Sequence, residues 1–311
     1  MPFAIGGNAR IRTNIAAQNA YNSLDTANRD ISLRQLRLST GKRINNAADD
    51  VAGYITSRAL LARNGSLRAA MNAVGDAQNV SYIIMDSLDN ISQLLTKIKD
   101  ATAMATSGAQ GTAEKVALAK AAYRMAEQIQ TVVDSTVFGG RQLLDGMFSA
   151  DFVIATDSSN DLITLSVDMT RNNEEFNTAS GHFDMNAMGE GSFAGITGLD
   201  LTAFDTVTNE DHGIFSFDKI HMTLSSLADA IDNVNKVASY VGGIVNRLVS
   251  QEDLLKNQIT NYNAAISRIE DADVAKEQLE LVKSQFLQQA SLVSLAQANS
   301  NPQAFLQLIR G

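Results

Sequence analysis

Three long stretches of the chain place an apolar residue at alternating three- and four-residue steps, which is the spacing of a coiled-coil seam. They cover residues 67–98, 118–132 and 227–269, with Ser81 and Glu252 as a polar and a charged interruption. Helices with such a seam bury it against one another, so the spacing predicts long helices packed side by side. The residues that we expect to form this rod seam are Leu67, Val74, Ile84, Leu88, Ile91, Leu95, Leu227, Val234, Val241, Leu248, Leu255 and Ile266.

Very little in the sequence would break these helices. Pro2 and Pro302 are the only prolines, and they lie at opposite ends of the chain. Between the first two seams, residues 106–112 (TSGAQGT) have the composition of a turn. Two helices with so short a connection pack most simply antiparallel. The sequence therefore predicts a mainly α fold, an elongated antiparallel helical bundle or coiled-coil rod.

The third seam changes phase near its end. After Ile269 the next expected positions are Asp273 and Lys276, which are charged, and the apolar spacing resumes one residue out of phase at Leu279. The resumed pattern continues through Val282, Phe286, Ala290 and Val293. We therefore predict a mechanical boundary within residues 269–279, beyond which the apolar face turns towards a different partner.

The N-terminal segment has a weaker pattern. One helical face carries Ala17, Tyr21, Leu24, Ile31 and Leu38, while Leu33 and Leu36 lie on other faces. A helix with apolar residues on several faces needs neighbours on several sides. An isolated chain would bury little of this surface, so we expect the segment to be disordered in the monomer.

The middle of the chain has a different character. Residues 151–155 and 162–167 have the composition of strands and flank a turn at residues 157–161. Residues 171–217 are rich in Asn, Asp, Gly, Ser and Thr with scattered Phe, which indicates a loop-rich outer segment. We predict a small β-hairpin region between the helices.

The sequence offers little for catalysis or metal binding. It has no cysteine, and its three histidines, His182, His212 and His221, lack metal-ligand spacing. Asp49-Asp50 is better explained as an N-terminal cap for a helix that begins at Val51. We predict no catalytic, cofactor-binding or metal site.

Charge and hydropathy exclude two further classes of function. The formal net charge of -9 is unsuited to general nucleic-acid binding, which depends on Lys and Arg. There is no apolar run of about 18 residues, so we expect no membrane span. The first residues, MPFAIGG, do not resemble a Sec-type signal peptide.

Five segments resemble, in the same order, the signature motifs of bacterial flagellins. Residues 36–53, LRLSTGKRINNAADDVAG, are similar to the flagellin signature RLSSGxRINSAADDAAG. The other four segments are residues 10–14 (RIRTN), 136–144 (TVFGGRQLL), 267–277 (SRIEDADVAKE) and 295–310 (LAQANSNPQAFLQLIR). Residues 150–220 match no flagellin motif.

The resemblance implies a layered organisation. Residues 1–45 with 272–311 would form an inner-tube coiled coil of paired terminal helices. Residues 46–176 with 218–271 would form a helical rod domain with β-hairpins, and residues 177–217 a short variable outer insertion. The expected inner-tube assembly residues are Ile15, Tyr21, Leu24, Ile31, Leu38, Leu279, Val282, Phe286, Val293 and Leu306. The expected residues of the connecting spoke are Gly41, Arg43, Asn45, Asp49 and Asp50.

The resemblance also implies a structural function without catalysis. The chain would self-assemble into the helical flagellar filament used for swimming, after export in unfolded form through the flagellar type III apparatus. Its expected partners are further copies of itself, companion flagellins, the filament cap, the hook–filament junction proteins and an export chaperone bound to the C-terminal helix. The expected location is the extracellular flagellum.

Two alternatives remain open from the sequence. The hook–filament junction protein shares the terminal helices, although residues 47–50 (AADD) and 303–306 (QAFL) favour a flagellin. A secreted monomeric adhesin or immune ligand is the second alternative. Flagellins that activate the flagellin receptor often carry Arg and Leu where this chain has Lys97 and Ala101, so we expect weak activation.

Overall fold

The structure is a computed structural model. It describes residues 13–107, 110–156, 162–171, 193–196, 199–208, 213–216 and 218–310, together with positions 173, 175, 183, 185, 210 and 211. Thr156 and residues 302–310 are described by their backbone alone. The prefix 2–7, the predicted turn at 157–161, and His182 and His212 lie outside the described residues.

The chain divides into two compact units. We call Met1–Asn64 with Thr260–Gly311 the terminal unit and Gly65–Ile259 the central unit. The terminal unit therefore includes the spoke and the adjoining ends of two long helices, whereas the sequence-based division ends at residues 45 and 272. That division stays a prediction.

The described part of the chain is mainly α-helical, which confirms the predicted fold class. Each long helix covers one of the predicted periodic stretches, and few residues separate one helix from the next in the terminal unit. The helices are α1 (Ile15–Thr40), α2 (Val51–Ala105), α3 (Thr112–Ser135), α4 (Ile220–Glu270) and α5 (Val274–Arg310).

The core of the central unit lies between α2, α3 and α4. Gln78 of α2 donates to the Glu252 carboxylate of α4 at 3.0 Å, and the Ser87 hydroxyl of α2 lies 2.9 Å from that of Thr136, just after α3. Ser92 of α2 likewise donates to Asn235 of α4 at 3.5 Å, so α2 and α4 run antiparallel. Every residue of the rod seam is buried, including Ile266, which lies in the terminal unit. The interrupting Ser81 donates to the Ala77 carbonyl at 2.8 Å.

Two small hairpins follow α3. Strands β1 (Val137–Phe138) and β2 (Arg141–Gln142) pair across Gly139-Gly140, whose φ angles of 58° and 82° allow a tight two-residue turn. Strands β3 (Ser149–Thr156) and β4 (Leu162–Asp168) pair antiparallel with a bulge between Val153 and Ala155. The predicted hairpin is therefore present, with β3 three residues longer and β4 one residue longer than predicted.

The described part of the predicted outer segment belongs to the central unit and has a core of its own. Short 3₁₀ helices cover Phe193–Gly195, Leu201–Phe204 and Gly213–Phe215. Phe193, Phe204 and Phe215 are fully buried, and the last two rings meet edge to face with centroids 5.6 Å apart. The Asn233 amide of α4 donates to the Ala194 carbonyl at 3.0 Å, so this segment packs onto the helices.

Candidate assembly surface

Helices α1 and α5 of the terminal unit pair antiparallel along one face of each helix. The Asn14 amide, which also caps α1, donates to the Ala298 carbonyl at 2.7 Å, and Gln288 donates to Asn28 at 2.6 Å. On this face of α1, the buried or half-buried residues at three- and four-residue spacing are Ala17, Ala20, Leu24, Ala27, Ile31, Arg34 and Leu38. Those on the facing side of α5 are Glu277, Leu281, Ser284, Gln288, Ser291, Leu295 and Ala298. We call these two rows the paired face.

The paired face of α5 is mostly small or polar. It contains Leu281 and Leu295 as its only large apolar residues, and Ser284 is buried beside them. Its charged member, Glu277, accepts hydrogen bonds from Arg34 at 2.8 Å and Arg37 at 3.4 Å. The Glu277 side chain is only 7% exposed. We call Arg34, Arg37 and Glu277 the ion triad.

The apolar residues that the phase slip singled out lie on the opposite side of α5. At about 100° per residue, Leu279, Phe286 and Val293 point away from the paired face. Their side chains are 65%, 67% and 72% exposed in the single chain. Val282 and Ala290 lie on the same side and are also exposed. We call these five residues the outer stripe.

The predicted assembly residues of α1 fall into two groups. Leu24, Ile31 and Leu38 lie half-buried on the paired face. Ile15 and Tyr21 are exposed. The side chain of Leu306, the remaining predicted assembly residue, lies outside the described residues.

The predicted spoke joins the two chain segments that connect the long helices. Gly41 ends α1 with a left-handed φ of 68°, which glycine adopts without steric cost. Lys42 then forms an antiparallel bridge with Asp271. The Arg43 amide donates to the Glu270 carbonyl at 2.6 Å, and the Ala272 amide to the Gly41 carbonyl at 2.9 Å. The helix break at residues 271–273 lies within the range 269–279, where the sequence predicts a boundary.

A second buried carboxylate anchors this connection. The Glu270 side chain is 4% exposed and accepts from Lys42 at 2.9 Å and from the Ser57 hydroxyl at 3.3 Å. The Arg43 guanidinium donates to the Ile269 carbonyl at 2.8 Å. Asn45 donates from its amide to the Lys42 carbonyl at 3.1 Å, which closes the turn.

The two adjacent carboxylates of the spoke have separate roles. Asp50 caps α2, because its carboxylate accepts from the Gly53 amide at 2.9 Å. Asp49 instead accepts from the backbone amides of Asn45 and Asn46, both at 2.9 Å. The Asn46 and Asn45 hydrogen bonds hold the pKa of Asp49 below its ordinary value. The expected cap is therefore present, at Asp50.

Sequence reasoning missed the ion triad, Glu270 and the paired face of α5. The charged residues at the expected seam positions were interpreted as the end of the third seam. Lys276 and Glu277 in fact lie where the pairing of α5 with α1 begins. A search for apolar periodicity also passes over a seam made of Ser and Gln. The sequence did contain a signal for the paired face. A second row of mostly small or polar residues on α5 has the same three- and four-residue spacing and begins two positions before the apolar row.

Chemical sites are not evident in the part of the chain that the structure describes. No group of three or more His, Asp or Glu side chains there could hold a metal ion. His221 lies exposed on α4. A search of the described helices for a long apolar segment able to cross a membrane found none.

Known proteins resemble this chain over nearly its full length. The model of the bacterial flagellin N-terminal helical region matches residues 11–149, and that of the C-terminal helical region matches residues 224–309. The flagellin of Bacillus subtilis strain 168 is 30% identical, covering 97% of this chain and 100% of that protein. The flagellin of Halalkalibacterium halodurans is 29% identical, covering 96% and 99%.

A solved structure shares the fold. It is a chain of Vibrio parahaemolyticus provisionally assigned as a flagellar hook-associated protein, with a TM-score of 0.55 and 14% sequence identity. The match covers 72% of this chain and all of that one. At this identity the likeness shows the fold alone and does not favour the junction-protein alternative.

The two family models leave unmatched the middle of the chain, where the sequence also showed no shared motif. The matched residues include nearly all of the five helices, the spoke and the first hairpin. Together with the near-complete match to a flagellin at 30% identity, they show that this chain belongs to the bacterial flagellin family, whose members are the subunits of the flagellar filament.

Proposed function

We propose that the chain enters the filament by burying the outer stripe of α5, together with the exposed residues of α1, against neighbouring copies. The observation that carries this proposal is the division of α5 into two faces. Its small and polar face is occupied by α1 of the same chain, whereas its apolar face is exposed. One face of α5 packs on α1, and the opposite apolar face is left exposed. Such a helix is suited to a lattice in which every copy has several neighbours.

The exposed apolar surface of the outer stripe would contribute to assembly. Leu279, Val282, Phe286 and Val293 are each exposed in the single chain. Full burial of side chains of this kind contributes about 1.5–3 kcal/mol each, or roughly 6–12 kcal/mol for the four. This upper bound offsets the entropy of ordering the terminal helices. Contacts of this kind between different surfaces of identical subunits propagate into a helical polymer.

The same reasoning supports the layered organisation. Residues 1–45 and 272–311 would form the inner tube, 46–176 with 218–271 the rod domain, and 177–217 the outer insertion. Ile15, Tyr21 and Leu306 would join the outer stripe as inner-tube contacts. Gly41, Arg43, Asn45, Asp49 and Asp50 would hold the connection between the two layers.

Export and partner binding are further parts of the proposal. The chain would pass unfolded through the flagellar type III apparatus and polymerise outside the cell under the filament cap. The absence of cysteine suits passage through a narrow channel, because no disulfide can form on the way. Before export, the outer stripe would be covered by a chaperone bound to α5. In the filament the chain would meet hook–filament junction proteins and companion flagellins.

A charge on the outer stripe tests this proposal. We expect Phe286→Asp and Val293→Asp to abolish growth of filaments from short filament seeds, because each would bury a carboxylate in an apolar contact. Gln285→Asp is the matched control, since it adds the same charge one residue away on the flank of α5. Normal filaments from both stripe variants would contradict the proposal.

A further inference from the structure

Burying the charged groups of the ion triad costs free energy. Stabilisation of the fold does not by itself explain why these groups are buried. Glu277 is buried, and the Nε atoms of both Arg34 and Arg37 are buried without a hydrogen-bond partner. Buried ion pairs seldom stabilise a fold more than apolar residues of similar size, although removing one partner is strongly destabilising. Their best-attested role is to select one register or one partner helix over others.

The paired face needs such a selector because its other positions are repetitive. On α1 it repeats alanine at positions 17, 20 and 27, and on α5 it repeats serine at positions 284 and 291. Small side chains at regular spacing pack almost equally well after a slip of seven residues. Apolar packing alone therefore discriminates poorly between registers.

A slip of one heptad would leave Glu277 without a cation. In the observed register Glu277 lies opposite Arg34 and Arg37, near the C-terminal end of α1. Sliding the helices by seven residues in one direction brings Glu277 opposite Ala27, and sliding them in the other brings it past Gly41. Both slipped registers bury a carboxylate against small apolar groups or leave it beyond the helix pair.

We infer that the ion triad is a specificity determinant that, together with the backbone contacts of the spoke, fixes which residues of α1 face which residues of α5. This inference rests on the proposed function, because a filament lattice requires every copy to present its outer stripe at the same height. Arg34, Arg37 and Glu277 act as positioning residues. They set the register of the paired face and thereby the position of the outer stripe.

A charge swap in the full-length chain tests the inference. The variants are Glu277→Arg, which places three cations together, and the swap Arg34→Glu/Arg37→Glu/Glu277→Arg. Arg29→Glu is the control, because Arg29 lies on the same helix in an exposed ion pair with Asp25. We expect Glu277→Arg to slow seeded filament growth by roughly tenfold or more, the swap to recover most of it, and the control to leave growth unchanged.

Disulfide cross-linking reads the register directly, since the chain has no cysteine of its own. Asn28→Cys/Gln288→Cys reports the observed register, because these side chains touch at 2.6 Å. Gln35→Cys/Gln288→Cys reports a slip of one heptad. In the Glu277→Arg background we expect the first pair to lose cross-linking within the chain, and in the swap we expect it to recover.

The results separate the inference from the proposed function. If Glu277→Arg grows and cross-links like the parent, or if the swap recovers neither property, the ion triad does not set the register. The outer stripe would remain the assembly surface in both cases. If instead Phe286→Asp and Val293→Asp still form filaments, the proposed function fails, whatever the cross-linking shows.

Discussion

The two units of this flagellin bury apolar surface to very different extents within a single chain. In the central unit, Val74, Ile84, Leu88, Val234 and Val241 have no exposed surface. Among the described residues of the terminal unit, the buried apolar side chains are Ala27, Ile44, Ile266, Leu281 and Ala298. The central unit therefore completes its core alone. The terminal unit leaves most of its larger described apolar side chains exposed or half-buried.

The polar contacts of the two units differ as well. Within the central unit, buried polar groups such as Ser81 and Thr102 donate to carbonyls of their own helix. In the terminal unit, Glu270 and Glu277 bind side chains that are distant in sequence. One unit is held mainly by apolar packing, and the other by a few charged contacts. Under the proposed function, the terminal unit would be specified within the chain and stabilised by neighbouring copies.

Truncating one leucine in each unit gives the largest expected contrast. Leu88→Ala removes a fully buried side chain of the central unit and should lower its free energy of unfolding by about 2–5 kcal/mol. Leu279→Ala removes an exposed side chain and should change monomer stability by no more than about 0.5 kcal/mol. Urea unfolding of the monomer, followed by circular dichroism, measures both. Equal losses would contradict the comparison.

Two glycines of α2 test how tightly the spoke packs. A Cβ on Gly53 would lie 2.7 Å from both the Asp50 carboxylate and the buried Ile44 side chain. Gly53→Ala should therefore destabilise the terminal unit by about 1–3 kcal/mol. Gly65→Ala is the control, because a Cβ there meets nothing within 4 Å, and it should stabilise α2 by up to about 1 kcal/mol. Thermal unfolding should move in opposite directions for the two variants.

The smallest expected effect depends on pH. The pKa of Asp49 is lowered by backbone hydrogen bonds, so its ionised form favours the folded spoke. The contribution is present above the ordinary value of 3.8 and is lost as the pH falls below it. Asp49→Asn should cost about 1 kcal/mol at neutral pH, and the difference from the parent should shrink below pH 3.8. A constant difference across this range would exclude the assigned role of Asp49.

The sequence was sufficient to predict most of the helical architecture. The positions of the rod seam follow from spacing, because long helices bury every third or fourth residue. Two charged residues at seam positions predicted a boundary within residues 269–279, and the helix break at residues 271–273 lies within it. The β3–β4 hairpin was predicted from local signals that need no tertiary information, whereas the Gly139-Gly140 turn was not predicted.

Three features could not be predicted because they depend on tertiary packing. Phe193, Phe204 and Phe215 lie in a loop-rich segment without a sustained helix or strand pattern, so nothing local shows that they cluster and pack onto α3 and α4. The paired face of α5 is small and polar, and its burial depends on the complementary α1. The ion triad joins Glu277 to arginines 243 and 240 positions away, which no local pattern reveals.

Hydrogen exchange of the monomer and of the assembled filament tests the central claim most directly. We expect the amides of α2, α3 and α4 in the central unit to be protected in both states. Those of α1 and α5 should exchange rapidly in the monomer and become protected in the filament, because neighbouring copies cover the outer stripe. Protection of α1 and α5 in the monomer equal to that of the central unit would contradict the account, as would rapid exchange of both helices in the filament.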